Sequence, residues 1–542
     1  MSKKKNKQTS INEQKVKNRS ASVKIDKKSA ARIDGVAAKL SMHEKFAALY
    51  VISMFSIFPV YMTNKLFDVR DDRLHYFVVT TFVLLFFIVA TYICGIDKER
   101  WPKDLFKMSL PDWAFIAFVG VCLISAILSE YGVEAFTGSG GRDSGFWLMA
   151  VYLLCYLLVS RYFRYKEVVF TAFAVVSSVV CFIALLHEFW IDPFKIIVDI
   201  KESQQKDFIT TIGNINMFSG FVCVSLPVCT ALAIISKDKV SSAFYWFTAS
   251  INFMGLLVAN SMSGYFGFVS FMAILFIYCC GSARRLFKFI LTCTIMLASA
   301  KVLRLMSFFF KDNYKNLEDV SRFMIYDNRV YMIIVVFAVL TAAAYLLMSK
   351  YGDEHSPKWV QLSAGGFVAF AAAALLGVFI YFSAIDKTTD LGKLSKILRL
   401  NDQWGTHRGY AWIRGFELWH TNGIKNTLVG SGPDTFGQVI KAVYRDDMVK
   451  RHGSVFDTAH NEFLNYLVTT GLFGFAAYTT VFVSLVVRCV KRCSKNAVFI
   501  IPLLAICAYC SQSIFNLATP IITPYIFLFF GIAEAFVRKA DE

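Results

Sequence analysis

Apolar runs of about 17 to 25 residues recur along most of this chain, broken by short polar turns. At 1.5 Å per helical residue such runs match the roughly 30 Å hydrocarbon core of a bilayer, whereas barrel strands would be half as long. Spans are expected near residues 46–62, 75–96, 113–128, 146–160, 168–190, 216–235, 243–259, 264–280, 286–303, 330–348, 360–383, 461–487, 497–514 and 519–537. The expected fold class is all-α: a polytopic helical membrane protein with about 12–14 transmembrane helices.

The polar turns alternate in character. With the N-terminus inside, the cytoplasmic connections read DKERWPKDLFK, SRYFRYKE, SKDK, GSARRLFK, SKYGDEHSPK and RCVKRCSK, each with at least two Lys or Arg. This satisfies the positive-inside rule. An even number of spans returns the C-terminus to the cytoplasm, where Arg538 and Lys539 close the last helix. The expected location is therefore the cytoplasmic membrane, multi-pass, with both termini cytoplasmic.

A hydrophobic share of 56%, with 53 Phe, assigns the length to lipid rather than to several soluble cores. The net charge of +18 is uneven: residues 1–45 hold thirteen Lys and Arg against four acidic residues, half of the total. That segment lacks apolar periodicity and is rich in Ser, Asn and Gln. It is expected to be a disordered basic cytoplasmic tail near anionic headgroups, which makes membrane lipids its partner and not nucleic acid. No short apolar stretch with a small-residue cleavage site follows, so it is not a signal peptide. The remainder, 46–542, reads as the transmembrane domain.

The thirteen Cys fall within spans or in the turn after residue 487, which excludes a disulfide framework on the oxidising side. Cys279–Cys280 and Cys489/Cys493 read as packing residues. Neither a metal motif nor a P-loop or dinucleotide fingerprint is present, so no cofactor is expected.

One connection departs from the short-turn pattern. Residues 384–460 form a large extracytoplasmic loop, inserted before the last three helices, that holds His407, His420, His452 and His460, half of all the histidines. Long ordered loops on a rigid scaffold carry function. Within it RGYAWIRGFELWH places Tyr410, Trp412, Ile413, Phe416 and Trp419 at helical intervals, an amphipathic helix whose aromatics read as interfacial packing.

Four motifs outside the cytoplasm occur in a shared order. DTAHNEFLNYLVTTGLFGF at 457–475 is similar to the HN-x-x-L…G-L-x-G signature of the O-antigen ligase and O-antigen polymerase superfamily. Arg408 through Trp412 matches that family's R-x-x-x-W, GSGPDTF at 430–436 its G-x-G-x-x-x-F turn, and TIGNINMFSGFV its Gly-Asn-x-Asn segment. Members bind a polyprenyl-diphosphate-linked glycan and transfer it to an acceptor hydroxyl, on a glycan or a lipid, outside the cytoplasm. The resemblance implies His460 and Arg408 as catalytic residues and Arg142, Asn214, Asn216, Asn461, Trp412 and Gly432 as substrate-binding ones.

Residue chemistry is compatible with this. A departing diphosphate needs a fixed cationic fork, and a hydroxyl nucleophile benefits from a base whose pKa lies near working pH. His460 is either that base or a capping residue. Asn214 and Asn216 either bind glycan or headgroup or cap the sixth span. The family's Ser-Arg pair between two central spans is here Ser263-Gly264, which removes one cation. Arg142, in GSGGRDSGFW, either supplies it or is a solvated arginine in a Gly-rich turn. The expected activity is a metal-independent glycosyltransferase; the alternative is a lipid-linked glycan flippase or other transporter, against which the long loop argues.

Overall fold

The computed structural model describes residues 40–102, 105–139, 142–310, 315, 317–352 and 355–541. The basic tail therefore lies outside the described residues, apart from 40–45. We label the principal helices α1 (Met42–Ser56), α2 (Val69–Ile93), α3 (Leu110–Ile127), α4 (Phe146–Tyr162), α5 (Glu167–Glu188), α6 (Ile215–Ile235), α7 (Lys239–Ala259), α8 (Met262–Cys279), α9 (Ala283–Phe309), α10 (Arg329–Tyr351) and α11 (Lys358–Ile380). Three loop helices follow, α12 (Trp404–Thr421), α13 (Gly423–Val429) and α14 (Phe436–His452), and then α15 (Glu462–Cys493), α16 (Ile500–Ser513) and α17 (Thr523–Asp541).

Ten of these helices are long and apolar enough to cross a membrane, and two shorter apolar ones, Phe146–Tyr162 and Ala497–Ser513, accompany them. The chain is an all-α, multi-pass membrane protein. Each apolar run has become a helix, α1 and α17 included. Their starts are encoded locally: Ser41 with Glu44 and Ser109 with Asp112 form capping boxes, the latter with Pro111 in the first turn. Among the described residues the β-structure is one two-residue ladder, Phe208–Ile209 against Gly213–Asn214, and an isolated bridge between Ser282 and His355.

Burial separates a centre from a rim. The apolar window of α6 is 94% buried and that of α11 is 0% buried, so α6 is enclosed by its neighbours while α11 faces outward. A helix apolar all round is stable in either place, in a packed core or against lipid. Side-chain contacts define two ends of the bundle. At one, Lys288 donates to the carbonyl of Ser236, Arg164 pairs with Glu44 at 2.7 Å and Arg161 with Asp112 at 2.8 Å, linking the basic connections. At the other, Arg73 donates to the carbonyls of Pro59 and Thr211, Asn516 to that of Asn216, and the long loop folds over α3 and α15.

The long loop is more ordered than its sequence pattern indicates, with α12 to α14, short helical turns at Gly392–Leu394 and Ser395–Leu398, and its own apolar cluster around Tyr410, Phe436, Ile440 and Met448. It is joined to the bundle at one backbone crossing. Gly471, at φ +65°, interrupts α15, which frees the carbonyls of Val468 and Thr469. Those carbonyls accept instead from the amides of Ser431 and Gly432, at 3.3 and 2.9 Å. A Cβ on Gly471 would lie 2.3 Å from Leu428 backbone, and one on Gly430 2.3 Å from Thr469 backbone. The G-x-G and G-L-x-G motifs are thus the two sides of one close approach.

Candidate active site at the loop end of the bundle

His460 sits in the turn between the loop and α15, at φ +46°, a left-handed conformation that costs a non-glycine residue free energy and that His tolerates better than most. The turn is held on three sides. Trp412 of α12 donates its indole N–H to the carbonyl of Ala459 at 2.9 Å. Arg142 Nη2 donates to the carbonyl of Asp457 at 2.8 Å, and its Nη1 pairs with the Asp457 carboxylate at 2.9 Å. Asn461 caps α15, its side-chain oxygen accepting from the Leu464 amide at 3.0 Å.

Arg142 is not a solvated loop residue. It is 8% exposed, and its Nε donates to Asp434 Oδ1 at 3.0 Å. Asp434 also accepts the Ser139 amide at 2.9 Å, which ties the Gly-rich loop to the G-x-G turn. Burial opposes the charge on Arg142, but Asp434 and Asp457 outweigh it and raise its pKa above the ordinary 12.5. A guanidinium so occupied serves mainly as a strut, leaving few donors for a ligand.

Arg408, in the first turns of α12, is different. Desolvation lowers its pKa, countered only by the field of Glu318, and among the described residues no hydrogen bond or ion pair engages it. A desolvated guanidinium with no partner is costly unless an anion completes it. Its field reaches His460: burial first, then Arg408, push the imidazole down to about 4, Arg142 adding to this and Asp457 opposing it. His460 is therefore neutral near pH 7, but as a base it is weaker than an ordinary imidazole, a departure from the expected pKa near working pH.

The two asparagines of the Gly-Asn-x-Asn segment take local roles. Asn214 caps α6, accepting from the Asn216 amide at 2.9 Å. Asn216 accepts from Ser261 at 2.8 Å and Ser261 bonds Ser263 at 2.9 Å, which ties the head of α6 to the α7–α8 corner. A Cβ on Gly264 would meet Leu256 at 2.8 Å and Ser219 at 3.1 Å, so the corner has no room there for the arginine of the family's pair. Gly432, at φ +117°, would strike Ser129 with any Cβ, and its amide is already bonded to Thr469.

The structure thus brings His460, Arg408, Arg142, Trp412 and Asn461 around one turn; Asn214 and Asn216 lie at the adjoining corner, linked through the segment after α16. There Phe515 stacks on Trp412, centroids 5.7 Å apart, and Asn516 donates to Asn216. Sequence reasoning missed that segment, which has neither charge nor motif to mark it. It also passed over Asp434 and Asp457, for which the signal was present: each sits inside a quoted motif, and a buried loop arginine requires carboxylates. Beneath the turn, Glu462 accepts from the hydroxyls of Tyr478 and Tyr509 at 2.8 and 3.2 Å.

Residues 320–479 match the O-antigen ligase family model. The matched segment contains Arg408, Trp412, Gly432, His460, Asn461 and Gly471 and leaves out Arg142, Asn214 and Asn216. No curated protein matches the chain. The resemblance to O-antigen ligases and polymerases is borne out over that segment, and with it a general role in building surface polysaccharide.

Proposed function

We propose, from the premise that residues 320–479 are an O-antigen ligase segment, that the chain transfers a glycan from a polyprenyl-diphosphate donor to an acceptor hydroxyl. The reaction runs at the loop end, on the extracytoplasmic face of the cytoplasmic membrane, with both termini cytoplasmic. The observation that carries this reading is a neutral His460 in the field of Arg408, which has no hydrogen-bond or ion-pair partner among the described residues.

In the proposed step the acceptor oxygen attacks the anomeric carbon and the bond from that carbon to the phosphate oxygen breaks. The acceptor proton passes to His460. Arg408 takes the charge that grows on the leaving diphosphate, for which a planar guanidinium offers two parallel donors. Arg142 acts on neither reactant directly; it holds the backbone of Asp457 and so the position of His460. Since a fixed cation carries the diphosphate, transfer continues in EDTA. Asn461, Trp412 and Gly432 shape the turn and the crossing beside it, and Asn214 and Asn216 line the corner where the donor's headgroup would rest.

The test uses full-length protein in proteoliposomes with lipid-linked donor and acceptor, product size being read on a gel. His460→Ala reduces the transfer rate by about 10²- to 10⁴-fold, the range for loss of a general base, while donor binding is retained. Wild-type-like product from that variant would end the assignment, and donor translocation without any product from the wild type would favour the flippase. Labelling of Ser454→Cys in intact cells checks the face; modification only after permeabilisation would invert the topology.

A further inference from the structure

Beyond Gly471, the remaining part of α15 carries a surface feature that the proposed reaction leaves unused. One face forms a groove of about 850 Å³ running from Leu472 to Arg492, closed at its end by Leu110 of α3. Its floor is made of short side chains four residues apart, Ala476, Thr480 and Ser484, between Phe475, Val483 and Val487. Small residues alone fit many neighbours, including another helix. The end of the groove is what discriminates among them.

That end is formed by Arg488, Lys491 and Arg492. Arg488 lies 3.4 Å from Glu534, Arg492 pairs with Asp541 at 2.8 Å, and Lys491 takes no partner among the described residues. Arg488 also lines an adjoining cavity of about 120 Å³ in which Lys107, Arg161 and Arg538 outnumber the acidic Glu534 and Asp541. A second copy of this chain fits poorly. All copies insert in the same orientation, so a two-fold contact along this face would set both basic ends against each other. A zwitterionic lipid would fill the trough, but its own ammonium would offset its phosphate and leave the charge of Lys491 unbalanced.

We infer that the face of α15 from Ala476 to Arg492 binds an anionic phospholipid of the bilayer, its acyl chain in the groove and its phosphate at Arg488, Lys491 and Arg492. The dimensions agree. Ala476 to Arg488 is twelve residues, about 18 Å at 1.5 Å per residue, close to one leaflet of the roughly 30 Å core. The headgroup then lies at the level of the cations, where each Lys or Arg favours an anionic lipid by about fivefold. This site is independent of the glycan-transfer reading.

The probe is phosphatidylglycerol against phosphatidylcholine. Full-length protein is extracted from vesicles holding the two in equal amounts, and retained lipids are counted by native mass spectrometry. Wild type keeps phosphatidylglycerol in preference by tenfold or more. Lys491→Gln lowers that preference about fivefold. Thr480→Phe, which fills the trough without touching the charges, lowers retention of phosphatidylglycerol by a similar factor, with melting temperature in detergent as the control for folding. Equal retention of the two lipids by wild type, or an unchanged preference in both variants, would overturn the inference. So would a dimeric mass that disappears with Thr480→Phe and carries no lipid.

Discussion

The two ends of the bundle use arginine in opposite ways. At the basic end the arginines close on buried carboxylates: Asp112 accepts Arg161 at 2.8 Å, Arg538, and the hydroxyl of Tyr156 at 2.8 Å, while Glu534 faces Arg488 and Arg538. These contacts join α3, α4, α15 and α17, and around Asp112 they leave Arg161 and Arg538 little for a ligand. At the loop end Arg142 repeats the pattern with Asp434 and Asp457, but Arg408 beside it is desolvated and open. A cation sealed by carboxylates fixes structure, whereas one withheld from them is stored for an anion that arrives from outside.

Substitution should separate the two uses. Asp112→Ala strands Arg161 in a buried site and costs about 3–5 kcal/mol of stability, the range for breaking a buried pair from one side. It is read as a large fall in melting temperature in detergent. Arg408→Ala should leave that temperature unchanged and weaken donor binding by about 10- to 150-fold, the value of a charge-assisted hydrogen-bond pair, with Arg408→Lys a poor substitute. A destabilised Arg408→Ala would place this arginine with the sealed ones.

Arg142→Lys lies between these, because a lysine keeps the charge but cannot serve Asp434 and both groups of Asp457 at once. Melting temperature and transfer rate should fall together; a rate that falls alone would give Arg142 a direct hold on the donor. The pH profile sharpens the contrast further. His460 is pushed down to about 4, below the ordinary 6.5. Its neutral form is therefore favoured by the fold above pH 6.5, and that contribution is lost as pH falls through about 4. The acid limb of kcat/KM, which reports the free enzyme, should lie near 4, and that of kcat higher, once a bound diphosphate offsets Arg408. An acid limb for kcat/KM near 6.5 would show that neither burial nor Arg408 shifts the imidazole of the free enzyme. The smallest effect is expected from Trp412→Phe, which removes one hydrogen bond to Ala459, about 1 kcal/mol, and lowers the rate severalfold.

The membrane class and the helices were legible because apolar run length is a one-dimensional signal: every expected span became a helix, even α1 and α17, whose buried faces have neighbours in protein. The long loop was legible as a site but not as a fold. Its aromatic spacing gave α12; α14 has a shorter apolar pattern and packs on Tyr410, and α13 lies against α15, with the Trp419 indole donating to its Thr427 carbonyl. His460 and Arg408 stood out by residue type and motif. What Arg142 does could not be read from its loop, since solvated and sealed arginines look alike until the carboxylates 292 and 315 residues away are placed. The asparagines were open between capping and binding, and Asn214 took the cap that its position before α6 offers.

The interruption of α15 at Gly471 has a mechanical consequence. A continuous helix behaves as a stiff rod and passes axial and tilting displacements from one end to the other. A left-handed residue in its middle breaks the ladder, and the first nine residues of α15 are bound sideways to 431–432 rather than along their own axis. A change of bilayer thickness that tilted the remainder of α15 would meet that joint before it reached the turn. The turn carrying His460 keeps time with the loop, not with the lipid.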